Sequence, residues 1–339
     1  MVTITDVARA AGVSRSTASY AFSGRRTIST VVRDRVAAAA HDLGYTPNAG
    51  ARALKTSRTH VIGLLAQFLP DEFAPAMLQY MLGVSDTARD LGYDILLAID
   101  DDGVGALRRL TSSRMVDGVV LLNVAEDDPR LPALRAAHQP GALVGLPRDC
   151  RGVDVFDLDF AEAGRLMVDR LVRQGHREIL LVSQSEDVVA RGGAYVWRHQ
   201  EGALERAARH GVQLTCVFGA SAQPEIGHQL DRLLTDHPGV TALMLNNEAA
   251  AAALPGVLGG RGLRVPEDLS VVGRYSRELA ETFALPFSAV ESAPDVLGRM
   301  AVEQLVRRIE RRGPDEPHTV RLVAPTLVDR GSIGPPPTP

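Results

Sequence analysis

The chain holds 339 residues, 45% of them hydrophobic, which supports two or three domains with sizeable cores and excludes an intrinsically disordered polypeptide. Its 37 Lys and Arg against 41 Asp and Glu leave a net charge of −4, yet residues 1–60 hold nine basic and three acidic side chains, a local +6, so the remainder carries −10. A basic head on an acidic body favours polyanion contact at one end only, and excludes a uniformly solvated surface as the reason for the charge.

The spacing over residues 4–22 predicts a helix-turn-helix. Ala8 is small enough for two helices to cross closely, Gly12 can take the positive φ of the turn, and Val13, Ala18, Ala21 and Phe22 supply the buried face of the second helix. At 3.6 residues per turn, Arg15, Ser16, Ser19 and Tyr20 then share the solvent side. Ser14 is a fitting N-cap, and it leaves the unpaired N–H groups of the first turn ready for phosphate. A third helix is expected over 30–43, capped by Ser29, with Val32, Val36, Ala39, Ala40 and Leu43 inward and Gly44 ending it. Residues 46–48 break the pattern. Residues 49–55 form a short helix-capable stretch, marginal by itself in water, that orders against DNA and a partner chain.

From His60 the texture changes to apolar runs alternating with helical periods. Strands are expected at 60–66, 94–99, 118–124, 142–145, 178–183, 214–218, 241–246 and 269–273. Helices are expected near 73–91, 104–114, 160–174, 197–210, 225–236 and 248–261. Continuous apolar runs imply strands covered on both faces, hence an α/β body of parallel sheets, and about 270 residues of it imply two subdomains with a cleft between them. Ligands of such folds bind beyond the carboxyl ends of strands. The Pro-rich tail, residues 333–339, is expected to be disordered. Cys150 and Cys216 lack any CxxC or Cys/His spacing, so neither a metal nor a disulfide framework is expected. No apolar run reaches the roughly 18 residues of a membrane span and the first residues form no apolar leader, so a cytoplasmic protein without membrane contact is expected.

The run Thr3-Ile-Thr-Asp-Val-Ala-Arg-Ala-Ala-Gly-Val-Ser, then Thr17-Ala-Ser, Leu43-Gly-Tyr-Thr-Pro-Asn and Ala53-Leu54-Lys55, resembles the lac repressor (LacI/GalR) family of bacterial transcription regulators. The similarity extends through Ile62-Gly63-Leu64, Gly92-Tyr93, Asp117-Gly118-Val119, Gly175-His176-Arg177, Arg261-Gly-Leu-Arg-Val-Pro-Glu-Asp-Leu-Ser-Val-Val-Gly and Pro325-Thr-Leu-Val-Asp-Arg. It implies a homodimer with a helix-turn-helix domain (1–46), a hinge helix and linker (47–59) and a body similar to periplasmic sugar-binding proteins (60–332). Within that body, one subdomain spans about 60–157 plus 291–319 and the other about 158–288 plus 320–332.

Carried over position by position, the resemblance implies that Arg15, Ser16 and Tyr20 read base edges, with Tyr20 departing from the family's usual arginine. A bidentate Arg15–guanine pair is worth roughly 1–3 kcal/mol of discrimination. Thr5, Ser14, Thr17, Ser19, Ser23, Arg33, Tyr45 and Asn48 fall at phosphate-contact positions. Leu54 falls at the leucine that wedges into the minor groove, with Ala51, Arg52 and Lys55 beside it, while Gly50 weakens the isolated hinge by about 1 kcal/mol relative to Ala. For the effector, the resemblance points to Phe73, which is equally suited to a core, and to Arg198, with Arg191 as rival. Asn247 and Glu248 stand in place of the family's Asn-Asp. Arg274-Tyr275-Ser276 replaces its Phe-Asp-Asp, a change that removes hydroxyl-accepting carboxylates and leaves Arg274 and Tyr275 to meet an anionic group or stack on a ring.

The expected function is a sequence-specific, DNA-binding transcriptional regulator, a dimeric repressor controlled by a small-molecule effector, a carbohydrate or derivative, with a roughly palindromic operator and no cofactor. A free solute-binding protein and a DNA-binding regulator without effector are the alternatives. An enzyme finds no HExxH, P-loop, GxSxG or Cys/His cluster, and Asp100-Asp101-Asp102 reads as a solvated cleft rim.

Overall fold

The amino-terminal helices start where short side chains can close on their own backbone. In the computed structural model, which describes residues 2–23, 28–45, 58–67, 74–311 and 316–338, the chain divides into two units, Met1–Thr59 and His60–Pro339. Helix α1 (Ile4–Ala10) begins with the Thr3 N–H and hydroxyl both donating to Asp6 Oδ2, at 3.0 and 2.7 Å. Gly12 takes φ +62° and the Val13 N–H returns to Ala8 C=O at 3.0 Å, closing the turn into α2 (Arg15–Ser23). Ser14 Oγ accepts the Thr17 N–H at 3.0 Å, and Ser29 Oγ caps α3 (Thr30–Asp42) through the Val32 N–H. Val7, Ala8, Ala11, Ala18, Val36 and Ala40 form the buried core of the three helices, and the expected Val13, Ala21, Phe22, Val32 and Ala39 pack against it partly buried, while Val7 and Ala11 are not among the residues anticipated. Leu43 departs from expectation: it follows the last helical residue, leaves the buried stripe and stays 37% exposed.

The second unit contains two six-stranded sheets. The first takes β1 (Val61–Ala66), β2 (Asp94–Ile99), β3 (Gly118–Leu121), β4 (Gly141–Val144), β5 (Asp154–Leu158) and β11 (Val320–Val323) in the order β11-β5-β4-β3-β1-β2, all parallel. Helices α4 (Ala74–Asp90) and α13 (Pro294–Glu310) cover one face, and α5 (Gly103–Ser112) and α6 (Leu131–Ala136) the other. The second takes β6 (Glu178–Ser183), β7 (Gln213–Phe218), β8 (Ala242–Leu245), β9 (Ser270–Tyr275), β10 (Ser288–Glu291) and β12 (Leu327–Val328) in the order β12-β10-β9-β8-β6-β7, with only β12 antiparallel to its neighbour. Its faces are covered by α7 (Phe160–Gln174) and α9 (Ala194–His210), and by α10 (Glu225–Asp236), α11 (Glu248–Arg261) and α12 (Arg277–Thr282), with α8 (Glu186–Ala190) preceding α9. Central strands such as β3, β8 and β9 are buried along their whole length, the pattern that sheets covered on both faces require.

Three details correct the expectations. Strand β11 belongs to the first sheet, so the last crossing falls between Val323 and Leu327 and residues 320–323 leave the second subdomain. Strands β5, β10, β11 and β12 and helices α6, α8, α12 and α13 are not among the expected elements. The tail does not begin at residue 333: Ile333 joins the core, the Gly334 N–H donates to Ser270 Oγ at 3.0 Å, and Gly334 C=O lies 3.0 Å from Nε2 of the buried His176. His176 Nδ1 lies 2.8 Å from Thr241 Oγ1, and burial lowers the pKa of the ring, so a neutral imidazole ties the tail to β8 and β9.

The two subdomains each contain a helix crossing that admits no side chain. A Cβ on Gly164 would lie 2.2 Å from His199 C=O, and one on Gly202 2.1 Å from Ala161 C=O, so α7 and α9 touch backbone to backbone. Gly83 and Gly298 do the same for α4 and α13. Gly164→Ala is expected to lower stability by about 1–3 kcal/mol despite the better helix propensity of Ala. Gly256→Ala, on α11 with open space around it, should gain up to about 1 kcal/mol. Urea unfolding midpoints of the two variants check the contrast.

Candidate nucleic-acid interface and ligand cleft

In the first unit, Arg15 and Ser16 are exposed at the start of α2, as are Thr5, Ser14 and Arg33. Thr17, Ser19, Tyr20 and Tyr45 are half-buried. The hydroxyls of Ser14, Ser16 and Thr17 form one cluster, each within 2.8 Å of Ser14 Oγ, so the first turn of α2 presents linked donors beside Arg15. Tyr45 packs its ring on Phe22, centroids 5.9 Å apart, which serves the three-helix core. The Ser23 side chain and Asn48, Ala51, Arg52, Leu54 and Lys55 lie outside the described residues, as does Phe73.

In the second unit a cavity of about 530 Å³ opens between the sheets. Residues at or just beyond the carboxyl ends of strands line it from both sides: Leu122, Val144 and Asp157 from the first sheet, Gln184, Glu248 and Arg274 from the second. Arg274 lines it and is almost wholly buried. Its Nε donates to Asn246 Oδ1 at 2.6 Å, Nη1 to Ser292 Oγ at 2.8 Å and Nη2 to Glu248 Oε1 at 3.0 Å, while the guanidinium carbon lies 5.4 Å from the Phe160 ring centroid and 5.9 Å from that of Tyr195. Glu248 Oε2 accepts from Gln184 Nε2 at 2.6 Å. The expected anionic partner of Arg274 is therefore already present within the chain, as Glu248.

A second buried pair, Arg130 with Asp128, stands on the other wall, Nη2 to Oδ2 at 2.7 Å, and the guanidinium also donates to the Leu122 and Asn123 carbonyls. Arg198 lines the cavity, donates to Leu146 C=O at 2.8 Å and lies over the Trp197 ring; Arg191 lines it too. Asp157 accepts the Leu146 and Leu158 N–H groups, yet its burial dominates and pushes the carboxyl up to about 7. Burial likewise raises the Tyr80 phenol to about 12. The cavity thus pairs Arg274 with Glu248 and Arg130 with Asp128, carries Arg191 and Arg198 besides, and offers aromatic faces beside hydrogen-bonding groups.

Two expected effector residues do not reach it. Asn247 is consumed as the N-cap of α11: its Oδ1 accepts the Ala250 N–H at 2.9 Å and its Nδ2 donates to Ser183 and Ala220 carbonyls. Tyr275 points to the opposite face of β9, because neighbours in a strand alternate, and its ring sits edge-on to Phe283 in the core. Glu248, Arg274 and Arg198 are brought together in the cavity lining. The residues not anticipated are Asp157, Tyr80, Gln184, Asp128, Arg130 and Ser292; an Asp inside the apolar run of residues 153–158 was the one local signal of them.

Comparison with known proteins agrees with this arrangement. Residues 3–48 match the model of bacterial regulatory proteins of the lacI family, and residues 168–333 that of a periplasmic binding protein-like domain. The HTH-type transcriptional regulator CelR of Thermobifida fusca is 32% identical over 338 residues, 96% of each chain. A solved complex of the transcriptional regulator CelR with cellobiose covers 98% of this chain and 100% of its own at 28% identity and a TM-score of 0.67. The Lac repressor bound to ONPG covers 98% and 99% at 25% identity and a TM-score of 0.77. Among the described residues no helix is long and apolar enough to cross a membrane. A helix-turn-helix unit joined to a two-sheet, cleft-bearing body, matched along nearly its whole length, places this chain in the lacI family of bacterial regulatory proteins, as a DNA-binding transcriptional regulator and not an enzyme.

Proposed function

We propose that this chain is a homodimeric repressor whose hold on a roughly palindromic operator is controlled by a carbohydrate or carbohydrate derivative bound between the two sheets. The observation that carries the reading is the cavity at the strand ends, in which the two most deeply buried arginines are already paired within the chain, Arg274 with Glu248 and Arg130 with Asp128. With those two guanidiniums already paired, the lining suits a ligand with many hydroxyls and a face to stack, which Arg198 and the aromatic rings can meet. The similarity to a regulator solved with cellobiose supports the same class. Arg198, Glu248 and Arg274 are the residues assigned to the effector. Homodimerisation is supported by the exposed Leu78 and Leu82 on α4 and by Leu97 and Ile99 on the edge strand β2, on the sheet face that α4 covers, apolar surface that a second copy would bury.

On DNA, Arg15, Ser16 and Tyr20 read bases, and Thr5, Ser14, Thr17, Ser19, Ser23, Arg33, Tyr45 and Asn48 hold phosphates. Leu54 wedges the minor groove, flanked by Ala51, Arg52 and Lys55. The test of the whole reading is operator retention by the full chain, measured by gel mobility with a panel of sugars and sugar derivatives that includes cellobiose. A sugar that changes operator affinity supports it; indifference to every one would leave a DNA-binding regulator without this effector class. Arg15→Ala should lose about 1–3 kcal/mol of discrimination at one base pair of each half-site, measured by competition with single-base operator variants. An equal loss on all sequences would make Arg15 a phosphate contact.

A further inference from the structure

Two hydrogen bonds cross the cleft from one subdomain to the other. In the loop after β3, the Glu126 N–H donates to Gly192 C=O, in the loop between α8 and α9, at 2.9 Å. Arg198 on α9 reaches Leu146, just beyond β4, at 2.8 Å. Both bonds join one subdomain to the other, and neither lies at the three chain crossings near 158–159, 291–294 and 323–327. The receiving side is one connected rim, since the Arg148 N–H donates to Glu126 C=O at 2.8 Å and the Leu146 N–H to Asp157 Oδ2 at 3.0 Å. The reaching side is shaped for close approach. Gly192 has φ +86°, and a Cβ there would meet Ala125 Cβ at 3.2 Å and the Glu126 nitrogen at 3.5 Å. Gly192 itself is not part of the cavity lining.

We propose that these two contacts form a latch that holds the cleft closed in the absence of effector, so that the chain itself sets the closed fraction against which the effector acts. The inference deepens the effector reading of the cleft and rests on it for its consequence in binding. A ligand that binds the closed form gains apparent affinity in proportion to the closed fraction, while its entry waits on opening of the mouth. The latch therefore raises affinity and slows exchange at once.

Hydrogen exchange on the ligand-free full chain tests it. The Glu126 amide of the parent protein should be protected, and Gly192→Asn, which tolerates the left-handed φ but sets a side chain against Ala125, should speed its exchange roughly fivefold to tenfold while β1 and β6 keep their protection. Gly211→Asn, at φ +63° with open space around it, should leave Glu126 unchanged. Arg198→Met, which alters no backbone geometry, should also speed Glu126 exchange and serves where Gly192→Asn fails to fold. An unprotected Glu126 amide in the parent, or one indifferent to folded variants on both straps, overturns the latch. Thermal shift with cellobiose and the sugar panel reads the effector assignment separately: no stabilisation together with a protected Glu126 sinks that assignment and leaves the latch standing.

Discussion

Arg274→Met is expected to lower the stability of the full chain by about 3–5 kcal/mol, the usual cost of breaking a buried ion pair from one side. Both partners are almost wholly buried, Arg274 at 5% and Glu248 at 4% exposure. Removing the guanidinium leaves the Glu248 carboxylate with only the Gln184 amide for company, and strips Asn246 Oδ1 and Ser292 Oγ of their donors. The loss measures uncompensated charge more than the worth of the pair, and the double variant Arg274→Met with Glu248→Leu separates the two. It should recover most of the lost stability, because two apolar side chains of similar volume leave no charge behind. Denaturation midpoints of the parent, both single variants and the double variant close the cycle. A single variant within about 1 kcal/mol of the parent would mean that water reaches the pair, contrary to its burial. Both stable and unstable variants should lose response to the effector that the cleft binds.

What the sequence disclosed depended on how local the information is. The helix-turn-helix was legible almost to the residue, because Gly12, Ser14 and Ser29 each fix a turn or cap within three or four positions of themselves. The same holds for α7 and α11, whose starts are marked by Asp159 and Asn247 accepting the Glu162 and Ala250 N–H groups. Strand β5 was hidden by its own carboxylates: Asp154 is fully buried only because Gln304, Arg308 and the Thr319 N–H, all distant in sequence, donate to it. Strands β11 and β12 are short, and β11 is exposed over most of its length, so no apolar run announces them. The helix α13 is different, since Leu297, Ala301, Val302, Leu305 and Val306 recur with a helical period that the sequence does display. In the cleft, the sequence pointed to Arg274 and Glu248 beyond strand ends and to Arg198 on a helix, and all three line the cavity. The partners that decide their chemistry, Asn246, Ser292 and Leu146, follow from the register of β8, β9 and β10 and from closure of one subdomain on the other.

Acid should expose two opposed titrations inside the body. His199 is fully buried on α9 with Nε2 3.3 Å from Met167 Sδ, and burial first, then the charge of Arg274, brings its pKa down to about 3. An unfolded chain binds that proton near pH 6.5, so between about pH 6.5 and 3 stability falls as pH falls, by about 1.4 kcal/mol per unit. Asp157 acts in the other direction. Its folded carboxyl, raised to about 7 chiefly by burial, keeps a proton that the unfolded chain gives up near 3.8, so across that window stability falls as pH rises, with a similar slope. From about pH 4 to 6.5 the two slopes oppose each other in the parent protein. Asp157→Asn removes one of them, and the variant should gain on the parent by about 1.4 kcal/mol per unit as pH rises from 4.5 to 6.5, levelling off above 7. His199→Phe should show the reverse, gaining on the parent as pH falls. Urea midpoints of the three proteins at pH 5, 6, 7 and 8 decide the matter, since a common pH dependence for Asp157→Asn and the parent can arise only if the Asp157 carboxyl ionises in the folded chain where an exposed one does.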